Sequence, residues 1–177
     1  MNHAVKTLIV GLGSAHGDDQ AGWLVAENLQ RSCGELSDVT VRTALVPLDV
    51  LDWLEGIDVL HLCDACESAS CETPLLKLRW ENGQFINADS PIDHPHQIST
   101  APFRSRGSHD FSVPEMLQLA AQLGTLPKRV VLWAISGLRF QPGDAMSEQT
   151  HQTAIQSTEE IFRDVTVRAF EIESQQT

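Results

Sequence analysis

The feature that most constrains this chain is its opening block. A short apolar, partly β-branched run, Thr7 to Val10, is cut off by Gly11 and Gly13 and followed by the acidic pair Asp18-Asp19. A run of that kind reads as a strand buried on both faces, which occurs in parallel sheets covered by helices. From Asp19 to about Cys33, Ala21, Leu24, Val25 and Leu29 mark one face of a helix that stops at Gly34. Val39 to Leu45 then reads as a strand, Leu48 to Leu54 as a short helix, and Val59 to Cys63 as a strand closed by Asp64. Strand and helix alternating in this way imply a right-handed parallel α/β arrangement.

The later chain adds further elements. Leu75 to Trp80 and Gln84 to Ile86 flank Asn82-Gly83, a pair suited to the positive φ angles of a tight hairpin. Ala88 to Gly107 is a long loop with three prolines, with His94 and His96 around Pro95 and with Arg104 and Arg106; a loop of that length usually has a functional reason. Ser112 and Glu115 form a capping box, which predicts a helix over Val113 to about Leu123 ending at Gly124. Val130 to Ile135 reads as a buried strand. Ser147 caps a last helix running towards Asp164, and Val165 to Ile172 reads as a closing strand.

With 177 residues the chain has the size of one domain, residues 1–177, and can bury roughly 70% of its unfolded surface without staples. Twelve Lys and Arg against 24 Asp and Glu give a net charge of −12, which argues against nucleic acid or an anionic membrane as the main partner. The longest apolar run, Val130 to Ile135, is far short of a membrane span, and no signal-peptide core is expected at the N-terminus. Cys33, Cys63, Cys66 and Cys71 read as thiols in a reducing compartment, so a cytoplasmic location is expected.

In an open parallel sheet, ligands bind beyond the carboxyl ends of the strands. Asp18 and Asp19 follow the first strand, Asp64 the third, and His109 precedes the capped helix. Two carboxylates and a neutral imidazole suit a borderline divalent ion such as nickel or zinc. Each of these residues also has a plain structural reading: Asp18 or Asp19 as a helix-start residue, Asp64 as a strand-end turn, His109 as a loop histidine beside Asp110.

Leu8 to Ser14 with Gly17-Asp18-Asp19-Gln20-Ala21-Gly22 resembles the first motif of the hydrogenase maturation endopeptidases. The resemblance continues through Val59 to Ala65, Ser108-His109, Val113 to Leu119, Leu123-Gly124, Val130 to Ile135, Phe140 to Gly143 and Met146 to Glu148. It implies a three-layer α/β/α sandwich around a mostly parallel twisted sheet. It also implies an endopeptidase that trims the C-terminal extension of the large-subunit precursor of a nickel-iron hydrogenase. Carried over residue by residue, the metal-contacting positions fall on Asp19, Asp64 and His109, with nickel supplied by the precursor. Arg104 and Arg106 are then candidates for contacting the substrate extension. Three departures stand out: Ser14 where Asn is usual, His16 in the first loop, and Ile135-Ser136-Gly137-Leu138 where an acid-proline pair often stands.

Other readings compete. A non-catalytic nickel-sensing or chaperone protein would use the same fold. Gly11-Leu12-Gly13 with Gly17 also resembles a dinucleotide loop, although Asp18 and Asp19 would repel a pyrophosphate at the helix start. Cys63, Cys66 and Cys71 with His61 invite a zinc or redox reading, but a single C-x-x-C continuing a strand favours structural cysteines. Ser108-His109-Asp110 are consecutive, and adjacent residues rarely form a nucleophilic triad, whose groups must converge from separate elements.

Overall fold

The computed structural model describes residues 5–67, 73–89 and 111–174. Six strands form one sheet: β1 (Thr7–Leu12), β2 (Val39–Ala44), β3 (Val59–Glu67), β4 (Leu75–Glu81), β5 (Gln84–Asn87) and β6 (Arg129–Gly137). Their spatial order is β2-β1-β3-β6-β4-β5. β2, β1, β3 and β6 are mutually parallel, while β4 runs antiparallel to both β6 and β5. Helices α1 (Ala21–Ser32) and α3 (Glu148–Ser174) cover one face. Helix α2 (Val113–Leu123) and the 3-10 turn Pro47–Trp53 cover the other. This is the expected α/β/α architecture around a mostly parallel sheet.

Alternation along the central strands divides the core in two. Leu8, Val10, Leu60, Leu62, Val130 and Leu132 pack towards α2, while Ile9, Cys63, Val131, Trp133 and Ile135 pack towards α1 and α3. The two glycines of the first motif make this packing possible. A Cβ on Gly11 would run into the carbonyl of Gly22, and one on Gly22 into the carbonyls of Leu12 and Cys63. α1 therefore rides directly on the backbones of β1 and β3.

Local signals hold where they rest on specific chemistry. Asn82 and Gly83 turn the β4–β5 hairpin at φ 51° and 82°. Ser112 and Glu115 form the reciprocal capping box, and Gly124 ends α2 at φ 74°. Ser147 caps α3, its hydroxyl accepting from the Thr150 amide.

Three expectations are corrected. Val165 to Ile172 is not a closing strand but part of α3, which runs on to Ser174. The β-branched Val165, Thr166 and Val167 favour a strand locally, yet Val165 is buried one turn beyond Ile161 and the Thr166 hydroxyl bonds back to Phe162. Tertiary packing overrides propensity there. β3 does not close at Asp64 but continues to Glu67, because β6 pairs with it through Asp64–Ala134 to Glu67–Gly137. Finally, the cysteines are not all free thiols. Cys33 and Cys63 are free and buried, but Cys66 is disulfide-bonded.

Candidate functional site

The two adjacent aspartates of the first block have opposite environments. They lie in the 3-10 turn Gly17–Gln20 that links β1 to α1. Asp18 is fully buried. Its Oδ2 accepts from the amides of Leu138 at 2.7 Å and Arg139 at 2.9 Å and from the Ser147 hydroxyl at 3.0 Å, and its Oδ1 accepts from the Ser147 amide at 2.6 Å. Burial alone would raise the carboxyl's pKa, but these hydrogen bonds to the charged form outweigh it and hold it below its ordinary value. Asp18 is thus a clamp that ties the first loop to the segment between β6 and α3. The clamp also explains Gly137, where a Cβ would come within 2.8 Å of the Asp18 Cβ.

Asp19 is left half-buried at the rim. Its backbone carbonyl lies so close over Gly13 that a Cβ there would collide with it, which fixes the turn above the carboxyl end of β1. Asp64 reaches the same rim by a different route. β1 pairs with β3 only as far as Gly11–Cys63. From Asp64 onward β3 keeps β6 on one side and has no β1 pairing on the other, so Asp64 stands half-buried where the sheet steps down. The parallel pairing of β1 and β3 thereby puts Asp19 and Asp64 after the carboxyl ends of neighbouring strands. By alternation Asp64 lies on the same face as Leu60, Leu62 and α2.

His109, Arg104 and Arg106 lie outside the described residues, as do His94 and His96. Among the described residues no three His, Cys, Asp or Glu side chains converge as a metal site. Two short carboxylates from separate elements at one rim do fit part of an oxygen-rich ligand set for a divalent ion.

The cysteine and nucleotide readings fare differently. Cys63 is fully buried, and burial, with the nearby Asp64 carboxylate, pushes its thiol pKa far up, so it stays protonated and is neither a thiolate ligand nor a nucleophile. His61 is likewise committed. Its Nδ1 accepts from the Trp133 indole at 3.0 Å, which puts the proton on Nε2. That Nε2 has no hydrogen-bond partner and lies 3.8 Å from Asp164, which Lys77 and Arg129 also engage. As for the dinucleotide loop, Gly13 is pressed against the Asp19 carbonyl and Gly17 against that of Arg139. The glycines serve chain–chain contact at the place where a phosphate would have to enter.

Two features escape sequence reading: the division of labour between Asp18 and Asp19, and, on β2, the stacking of the Arg42 guanidinium over the Trp53 ring. Asp18's partners are backbone amides about 120 residues away, which leave no trace in residue type. The only sign of the second is that Arg42 is the single charged residue of β2.

No protein-family model matches the chain, and no curated protein does. Solved structures do match. The hydrogenase maturating endopeptidase HybD from E. coli superposes with a TM-score of 0.67 at 15% identity, covering 93% of this chain and 94% of that one. The [NiFe] hydrogenase maturation protease HycI from Thermococcus kodakarensis gives 0.60 at 19%, covering 89% and 90%. An uncharacterized protein from Wolinella succinogenes gives 0.56 at 14%, covering 93% and 99%. The chain therefore has the fold of the hydrogenase maturation proteases over about nine-tenths of its length. No described helix is long and apolar enough to cross a membrane.

Proposed function

We propose that this protein is an endopeptidase that removes the C-terminal extension from a nickel-loaded large-subunit precursor of a nickel-iron hydrogenase. The observation that carries the reading is the split between Asp18 and Asp19. One acid is consumed by four hydrogen bonds, while its neighbour stays half-buried beyond the carboxyl end of β1, next to the strand that carries Asp64, on a fold shared with HybD and HycI. The sequence motifs that resemble the family run in the same order along the fold.

In this reading Asp19, Asp64 and His109 are the protein's ligands to the nickel already seated in the precursor. Nickel held there would supply Lewis acidity beside the scissile amide and an anchor for the precursor. Asp19 and Asp64 bring negative charge to the rim and orient the precursor's metal centre over the carboxyl ends of β1 and β3. Arg104 and Arg106 are proposed to contact the extension. The non-catalytic alternative, a nickel-sensing or chaperone protein, would bind the same precursor and leave it intact.

The test follows the C-terminal mass of nickel-loaded precursor incubated with wild type and with Asp19→Asn, Asp64→Asn and His109→Ala. The expected result is trimming by wild type and a loss of at least about a hundredfold in each variant, with unchanged thermal midpoints. Binding without trimming by wild type would favour the chaperone reading, and full activity in all three variants would remove the ligand assignment.

A further inference from the structure

The sheet ends in two different edges among the described residues. β5 is only four residues long, whereas β2 has six and pairs with β1 alone. The pairing with β1 fixes which way the β2 backbone faces. Thr7 N–H donates to Asp38 C=O at 2.8 Å and Gly13 N–H to Ala44 C=O at 3.3 Å, so the even-numbered residues of this stretch turn their backbone groups towards β1. The N–H and C=O of Val41 and Thr43 point away from the sheet. Such unpaired groups are a template for another strand, and natural edges are usually blunted with proline, bulges or mobile charge.

β2 has no proline, and its pairing with β1 runs unbroken from Val39 to Ala44. Its free edge opens into a groove of about 290 Å³ lined by Ala26 and Gln30 of α1, Val41, Arg42 and Thr43, and Trp53. α1 covers one face of the sheet and Trp53 the other, so the groove wraps the strand's edge. The single charge of β2 is held in place: the Arg42 guanidinium carbon lies 4.8 Å from the centre of the Trp53 ring. No carboxylate pairs with Arg42 among the described residues, although acids outnumber bases two to one in this chain. A mobile lysine would sweep an edge, but a guanidinium stacked on an indole leaves the edge open.

The groove also leads to the site. Ala44 C=O, at the end of β2, accepts from Gly13 N–H and, at 3.0 Å, from the Trp23 indole, and Gly13 is packed against the Asp19 carbonyl. Just beyond it, Leu45 and Leu48 are 63% and 45% exposed.

We infer that the free edge of β2 receives the substrate: an extended segment of the precursor's C-terminal extension adds as a seventh strand. The inference rests on the function proposed above. The segment hydrogen-bonds to Val41 and Thr43, sets an Asp or Glu against Arg42, places an apolar residue on Leu45 and Leu48, and emerges at Asp19. At about 3.3 Å per residue, β2 accommodates about six residues of it.

The experiment compares wild type, Arg42→Glu and Thr43→Pro on the nickel-loaded precursor. It also measures amide exchange of the wild type by NMR with a synthetic peptide of the extension. Thr43→Pro removes an outward N–H and leaves the pairing with β1 untouched, and Arg42→Glu is the second variant should the proline fail to fold. The expected result is a KM raised about tenfold in both variants, kcat within twofold, and Val41 and Thr43 amides slowed at least tenfold by the peptide. If wild type trims the precursor while both variants keep its KM and those amides do not slow, the edge proposal falls and the proposed function stands. If wild type neither binds nor trims precursor, the function falls and takes this occupant with it. Protection of Val41 and Thr43 that grows with protein concentration, together with a dimer in sedimentation, would assign the edge to a second copy and overturn the proposal.

Discussion

Asp18 and Ser147 are 129 residues apart and share two hydrogen bonds, from the serine amide at 2.6 Å and from its hydroxyl at 3.0 Å. The same serine caps α3, so one carboxylate fastens the loop after β1 to the start of the last helix. That fastening sets the height of the neighbouring Asp19 above the sheet.

The two aspartates should therefore respond oppositely to substitution. Asp18→Asn replaces an acceptor oxygen by an amide facing buried N–H donors and should destabilise the fold by on the order of 3 kcal/mol, lowering the thermal midpoint by roughly 10 °C. Asp19→Asn should leave the midpoint within about 2 °C and abolish trimming. Differential scanning calorimetry beside the mass assay separates the two effects, and equal destabilisation by both would show that Asp19 is also structural.

Acid should lower the protein's stability in two pH ranges. Burial lowers the pKa of His61 from 6.5 to about 4, opposed by Asp164 and reinforced by Arg129 and Lys77. Between those values the unfolded chain binds a proton that the native chain refuses, so stability falls as pH drops from 6.5 to about 4 and is unaffected by His61 below that. The loss is about 3 kcal/mol. The carboxyl of Asp18 is shifted below its ordinary value, so the stability it gives is complete above the unfolded carboxyl's range and is lost as pH drops through its lower native pKa. Urea titrations at successive pH values check the sum. His61→Gln should flatten the upper range alone.

How much of this was legible in the sequence depends on the range of each interaction. The hairpin, the capping box and the glycine stop of α2 are set by neighbours within four residues, and sequence shows them directly. The carboxyl ends of β1 and β3 follow from apolar runs, which is why Asp19 and Asp64 could be singled out. The true end of β3 could not be seen, because β6 sets it through cross-strand pairing. The tail of α3 looks like a strand because three β-branched residues in a row outweigh periodicity in a short window. Arg42 on Trp53 and His61 against Trp133 join residues 11 and 72 positions apart and have no local signature.

Gly22 tests whether the glycines serve packing. Its missing Cβ lets α1 approach the carbonyls of Leu12 and Cys63, two residues within the paired strands β1 and β3. Gly22→Ala should therefore cost at least about 2 kcal/mol and tilt α1 away from the rim, reducing trimming even in the molecules that fold. Gly83→Ala, where nothing lies within 4 Å but φ is 82°, should cost about 1 kcal/mol and leave trimming intact. Chemical denaturation of the two variants gives the comparison. A mild Gly22→Ala would leave the spacing of Gly11, Gly13 and Gly22 without a packing reason.

Nickel should act as the licence for cleavage. Asp19 and Asp64 are two short side chains on different elements, and nothing else among the described residues completes a ligand set around them. Even with His109 added, three protein donors leave coordination positions to water, so free nickel should bind this protein only weakly. A precursor that brings its own nickel and ligands removes that deficit, and the assembled complex should be far tighter than the protein with metal alone. Calorimetry with nickel chloride should accordingly give a dissociation constant no tighter than about 10 μM, a binding free energy of about −7 kcal/mol. Metal-free precursor should remain uncut at protease concentrations that finish the loaded form. Incubating both forms side by side and following the C-terminal mass decides the matter: equal trimming would mean that the metal is not what this protein recognises, and Asp19 and Asp64 would have to act on the peptide itself.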